Sequence, residues 1–230
     1  MEIRVLQGVK EAAEAKGIAV VIDVFRAFSL ECYLLDAGAE KVLPVGAVET
    51  AYRLKEKRPG CVLAGERGGR ILPGFDLGNA PSQIDAGLVR GRTVVHTTSA
   101  GTQGIVAAYK GADEILLGSL VNAGATASYI LAKRPETVSL VCMGAAGITE
   151  TPEDDLCAAY IASILTDSPI DMAAGLMAVR DHKEGRKFFD PTQQDVFPQA
   201  DFALCTAVDR FDTVLRAVRL TEDVFEAVRV

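Results

Sequence analysis

Polar side chains able to do chemistry recur directly after short apolar runs in this 230-residue chain. VVID ends on Asp23, with Arg26 close behind, and CVLAG runs into Glu66 and Arg67, with Arg70, Asp76 and Asn79 following. TVVHT leads into Thr97, Thr98, Ser99, Ala100, Gly101 and Thr102. EILLG is followed by Ser119 and Asn122, and TVSLVCM opens into Gly144-Ala145-Ala146-Gly147 and then Glu153, Asp154 and Asp155. Carboxylates suit Mg²⁺, which takes oxygen ligands and often binds jointly through a substrate phosphate. Arginines offer planar forks to phosphate, sulfonate or carboxylate oxygens, and helix N-termini add backbone N–H donors. The mixture points to a small, anionic, phosphorylated ligand.

These groups share one location only if the apolar runs are parallel strands. The runs at 18–24, 41–45, 61–65, 93–97, 114–118 and 137–143 are nearly continuous in apolar residues, as strands buried on both faces are. Helical patterns lie between them: 47–58 has a basic last turn, 122–135 stops at Lys-Arg-Pro, and Thr151 and Pro152 open a helix as N-cap and first-turn residue. Strand alternating with helix predicts an α/β fold, three-layer α/β/α, with a largely parallel or mixed sheet. Ligands of such sheets bind beyond the carboxyl ends of the strands. The expected organisation is a single α/β domain over 1–230, or two closely fused lobes. The terminal FDTVLRAVRLTEDVFEAVRV reads as helix with a short strand.

Each residue also has a plainer reading. Asp23 is either a helix cap or a functional carboxylate, and an acid after four apolar residues is costly without a partner. Glu66 and Arg67 make a surface ion pair or a site; Glu153, Asp154 and Asp155 complement a helix dipole or bind a ligand. Thr97, Thr98 and Ser99 satisfy local backbone or face a substrate. His96 reads as packed or hydrogen-bonded, and His182 as solvated. Cys61 and Arg67 have the C-x5-R spacing of cysteine-dependent phosphatases, but the residues between them read as strand, which favours a core thiol. Asp23 is placed as an aspartyl nucleophile would be, without the second Asp of DxD. Neither GxGxxG nor GxxxxGK[ST] occurs, so the fold is expected to be non-Rossmann.

The formal net charge of -7 and the lack of a basic tail argue against nucleic-acid binding. No apolar run approaches a membrane span, and the N-terminal stretch does not read as a signal peptide. Five widely spaced cysteines without CxxC pairs suit a reducing cytoplasm and argue against zinc. A homo-oligomer, a dimer by default, is the expected assembly.

Taken together, VVIDVFRA (20–27), GERGG…GFDLGNAPS (65–82), TTSAGT (97–102), GSLVNA (118–123) and GAAGITETPEDDLCAA (144–159) resemble the 2-phosphosulfolactate phosphatase family. The resemblance spans about 20–160 in the right order. It implies Mg²⁺-dependent hydrolysis of the phosphate ester of a sulfonated 2-hydroxy acid. By the same resemblance Asp23, Arg26 and Arg67 are catalytic candidates, with Arg26 and Arg67 binding phosphate or sulfonate. Glu66, Asp76, Glu153 and Asp154 are metal candidates, joined by Asp23 directly or through water. Asn79, Thr98, Ser99, Gly101 and Asn122 are substrate candidates. An aspartyl-phosphate at Asp23 and attack by a metal-activated water both stand open. The chain departs from the family pattern at Phe28-Ser29-Leu30, where threonines are usual, at Ala100, where asparagine is usual, and across the C-terminal third. These departures leave open a related phosphorylated hydroxy acid as substrate, or a non-catalytic binding protein for small phosphorylated or sulfonated anions.

Overall fold

A computed structural model describes residues 1–230. Ten strands are present: β1 (Glu2–Gln7), β2 (Gly17–Ile22), β3 (Lys41–Pro44), β4 (Val62–Arg67), β5 (Arg70–Ile71), β6 (Thr93–Thr97), β7 (Ala112–Gly118), β8 (Thr137–Cys142), β9 (Leu215–Arg219) and β10 (Phe225–Arg229). The helices are α1 (Gly8–Ala12), α2 (Ala27–Asp36), α3 (Val48–Lys57), α4 (Ala86–Val89), α5 (Gly101–Ala108), α6 (Ala123–Lys133), α7 (Pro152–Leu165), α8 (Met172–Asp181), α9 (Lys183–Arg186) and α10 (Gln199–Cys205).

The fold is α/β, and its strands form two sheets rather than one. The first has the order β1-β8-β2-β7-β9-β10, the second β3-β6-β4-β5. β1, β8, β2 and β7 run parallel, as do β3, β6 and β4; β5, β9 and β10 pair antiparallel to their neighbours. An isolated antiparallel bridge between Val45 and Val224 links the two sheets at their margin. β2 shows why its run is apolar throughout. Ala19 and Val21 enter one core cluster while Ile18, Val20 and Ile22 enter another, so both of its faces are buried. The first cluster also holds Val42, Val62 and Val94 of the second sheet with Phe28, Leu34 and Ile105 of α2 and α5. These two helices therefore pack against residues of both sheets. A smaller cluster, with Leu43, Leu63, Val95 and Ala51, covers the outer face of the second sheet beneath α3.

The C-terminal segment corrects the helical reading. β9 and β10 form an antiparallel hairpin in which Leu215, Ala217, Phe225 and Ala227 are buried while Arg216, Val218, Glu226 and Val228 are less so. That is a period of two, the signature of a half-buried strand. Thr151 does stand at the N-cap position of α7, with Pro152 next, but its hydroxyl makes no capping bond and lies buried without a partner. No helix is long and apolar enough to cross a membrane.

Candidate active site

The carboxyl ends of β2 and β8 in the first sheet, and of β4 and β6 in the second, open onto one cavity of about 340 Å³. Its walls include Asp23, Arg26, Glu66, Asn79, Ser99, Glu153 and Asp154. The cavity thus lies across the seam between the sheets, and neither sheet alone builds it.

Three carboxylates knit the converging loops together. Asp23 accepts from the N–H of Ala27 (3.1 Å) at the start of α2 and from that of Gly101 (2.9 Å) at the start of α5. Asp154 accepts from Val24 N–H (2.8 Å) beyond β2 and from Gly144 N–H (2.7 Å) beyond β8. Glu66 accepts from Gly69 N–H (2.6 Å) and Ser99 N–H (2.8 Å), with the Ser99 hydroxyl at 3.2 Å. Each is held by two backbone donors, yet every oxygen except Glu66 Oε2 keeps a further lone pair. Glu153 differs: its Oε2 is buried and accepts nothing.

Burial dominates the electrostatics. It raises the Asp23 pKa to about 6, aided by the charge of Glu66 and opposed by the bonds from Ala27 and Gly101. Glu153 rises to about 7 for the same first reason, with Lys187 opposing the shift. Asp154 is pushed well above the usual carboxylate range by burial and then by the charges of Glu153 and Asp23.

Arg26 is 3% exposed. Its Nη1 donates to the fully buried Asp201 at 2.7 Å, and its guanidinium carbon lies 5.1 Å from the Phe197 ring centroid. Asp201 in turn accepts from Ser82 N–H (2.8 Å), tying the end of the 65–82 loop to α10. The peptide bond between Phe25 and Arg26 is cis.

Several candidates fall outside the cavity. Asp76 accepts from Leu63 N–H (2.8 Å) and pairs with Lys55 (3.1 Å), which fastens its loop to the side of β4. Arg67 donates to the Glu66 carbonyl (2.7 Å) and the Thr97 hydroxyl (3.1 Å) and is absent from the cavity wall. Thr98 and Thr102 exchange side-chain and backbone bonds at the start of α5. Gly101 sits one layer back, donating to Asp23 rather than facing the cavity. Asn122 caps the turn after β7, accepting from Ser119 N–H (2.9 Å) and donating to the Leu117 carbonyl (3.1 Å). Cys61 precedes β4 while Arg67 ends it, which puts them about 20 Å apart at ~3.3 Å per strand residue, too far for a shared phosphate loop.

Other wall residues were not among the sequence candidates. Lys187, Glu184 and Phe197 come from the C-terminal third and close one side of the cavity. Lys187 pairs with Glu184 at 2.6 Å, and its Nζ sits 4.6 Å from the Phe197 centroid. The charge-dense DHKEGRK was the available signal, but charged runs usually mark solvated surface. The Phe197 ring also explains Gly69, which has φ +81: a Cβ there would lie 2.6 Å from Phe197 Cζ.

The family model for 2-phosphosulpholactate phosphatase matches residues 4–219. Among relatives named "Probable 2-phosphosulfolactate phosphatase", one from Deinococcus radiodurans is 44% identical over 130 residues, 56% of this chain and 54% of its own length. The match thus spans about half of that relative's length. One from Caldicellulosiruptor saccharolyticus is 37% identical over 177 residues, 74% of this chain and 71% of its own. One from Bacillus subtilis is 29% identical over 220 residues, 94% of this chain and 93% of its own. With the family model covering nearly its whole length, the chain belongs to the 2-phosphosulfolactate phosphatase family, a family of phosphoric monoester hydrolases.

Proposed function

We propose that this protein hydrolyses the phosphate ester of a small sulfonated 2-hydroxy acid, 2-phosphosulfolactate, to sulfolactate and phosphate, with Mg²⁺ as cofactor. The observation that carries the reading is a charge imbalance in the cavity wall. Asp23, Glu66, Glu153, Asp154 and Glu184 face only Arg26 and Lys187, and those two cations are already paired with Asp201 and Glu184. Burial raises the pKa values of Asp23, Glu153 and Asp154, and a divalent cation that kept them ionised would also offset the charge of a phosphate ester entering the site.

The donor set suits Mg²⁺. The unpartnered Oε2 of Glu153 and the free lone pairs of Asp154 and of Glu66 Oε1 are hard oxygen ligands. No three acidic, thiol or imidazole side chains gather into a preformed cage. A Mg²⁺ ion here would therefore take one or two protein carboxylates and complete its shell with water and substrate oxygen. Asp76, held by Lys55 outside the cavity, is not included. When bound, Mg²⁺ supplies positive charge at the phosphoryl oxygens and lowers the pKa of nearby water.

The chain's own residues do the rest. Arg26, clamped by Asp201 and the Phe197 ring, offers its remaining N–H groups to the anionic substrate without rotameric freedom to lose. Lys187, in the same wall, is a cation available to a second acidic group of the substrate. As water attacks phosphorus, Asp23 accepts the proton that water releases, its raised pKa making it a stronger base than an ordinary carboxylate, while the ester P–O bond breaks and the departing alkoxide takes a proton from solvent to leave as the hydroxyl of sulfolactate. Five unpaired, buried cysteines support action in the cytoplasm.

Purified protein assayed with 2-phosphosulfolactate and with phosphorylated hydroxy acids lacking the sulfonate tests both activity and substrate class. Selective release of phosphate from the sulfonated ester supports the proposal. Thermal stabilisation by these anions without turnover would favour the binding-protein reading, which Ala100 motivates by lining the cavity with a methyl group.

A further inference from the structure

Behind the cavity lies a polar chain that the reaction above does not use. Glu31 on α2 and His96 on β6 are both fully buried, and His96 Nδ1 stands 2.8 Å from Glu31 Oε1. His96 Nε2 stands 3.3 Å from Asn79 Oδ1, and Asn79 lines the cavity. The second oxygen of Glu31 is buried without a partner.

A 2.8 Å contact requires a proton on Oε1 of Glu31 or on Nδ1. If His96 carried a proton on Nδ1 alone, Glu31 would be an uncompensated charge in the core, with one oxygen unpaired, which is expensive. The pair is neutral either as imidazolium and carboxylate or as a protonated Glu31 donating to Nδ1. In both cases Nε2 carries a proton and donates to Asn79 Oδ1. That fixes which way the amide faces.

We propose that Glu31 and His96 are positioning residues that hold the Asn79 amide with its Nδ2 group toward the cavity, where it donates to an acidic-group oxygen of the substrate. Only the identity of that acceptor rests on the phosphatase reading. The Nδ2 group makes no hydrogen bond within the chain, as a donor reserved for a ligand would not. A fixed donor backed by a buried relay discriminates strongly against ligands lacking the matching acceptor.

Two measurements test this. The chain has two histidines, so ¹⁵N NMR of the intact protein, with His182→Gln to assign signals, reads the His96 ring directly. A proton on Nε2 is expected; an unprotonated Nε2 would overturn the proposal, because the amide would then present its oxygen. In kinetics, Asn79→Ala and His96→Gln are each expected to raise KM for 2-phosphosulfolactate about tenfold with a smaller change in kcat, and the double variant to match Asn79→Ala alone. An independent, additive effect of His96→Gln would contradict action through Asn79. Should wild-type protein release no phosphate, the phosphatase reading fails while the NMR result still decides the state of the relay.

Discussion

Asp23 Oδ2 accepts a 2.9 Å hydrogen bond from the Gly101 N–H, joining a residue that follows a strand of the six-stranded sheet to one that follows a strand of the four-stranded sheet. The bond crosses the seam on which the cavity is built. It also sets the distance between the two halves, because a Cβ on Gly101 would lie 2.8 Å from Asp23 Oδ2 and 2.9 Å from Ala27 Cβ.

Gly101→Ala should therefore push the seam apart. Expected are a stability loss of about 1–3 kcal/mol, as for other overpacked sites, and a fall in kcat of roughly a hundredfold from displacement of the catalytic carboxylate. Denaturant melts and steady-state kinetics on the same preparation measure both; an unchanged kcat would show that Asp23 does not depend on this spacing.

Asp23→Asn removes the proton acceptor without removing volume. A drop in kcat of about 10²–10⁴-fold is expected, the range for loss of a general base. In wild type, kcat/KM should fall on the acid side near pH 6 as Asp23 takes up its proton. The pH profile of the variant should lack that limb if its residual rate is measurable.

Glu153 carries a stability prediction of definite sign. Its folded pKa, about 7, lies above the ordinary value of 4.5, so the folded protein binds this proton more tightly than the unfolded chain. Ionised Glu153 thus opposes folding fully above about pH 7, progressively less as pH falls toward 4.5, and not at all below that. Glu153→Gln should stabilise the metal-free protein by on the order of 1–3 kcal/mol at pH 8 and by little at pH 5. Thermal melts at the two pH values decide it, and an equal effect at both would reject the electrostatic cause.

Asp76 and Cys61 supply the contrast. Asp76→Asn weakens the hold on Leu63 N–H and Lys55 and should lower stability by about 1 kcal/mol while kcat stays within roughly twofold. Cys61→Ser should likewise leave kcat nearly unchanged. A loss of activity comparable to that of Asp23→Asn in either variant would place chemistry where the fold places only packing.

The strand ends were legible in sequence because a doubly buried parallel strand is apolar until it stops, and the first polar residue after it is then conspicuous. Asp23 and Glu66 stood out in this way. Which strands pair was not legible: nothing in IAVVIDV or TVVHT records that one belongs to a six-stranded and the other to a four-stranded sheet. For the same reason Asp76, Arg67 and Asn122 looked like site residues, since distance along the chain from a strand end does not say which way a loop folds. Lys187 and Phe197 were hidden by the opposite effect. They reach the cavity from a segment without strand or long-helix periodicity, and their placement depends on Arg26, Asp201 and Gly69 meeting them in space.

The central claim is that a carboxylate-rich cavity admits a phosphate ester only with a divalent cation. Phosphate release from 2-phosphosulfolactate should be measured with Mg²⁺, after chelation with EDTA, and after Mg²⁺ is restored. Turnover with Mg²⁺, a loss of at least about a hundredfold on chelation, and full recovery are expected; undiminished release in EDTA, or no release in any condition, would show that no divalent cation is needed or that the ester is not the substrate.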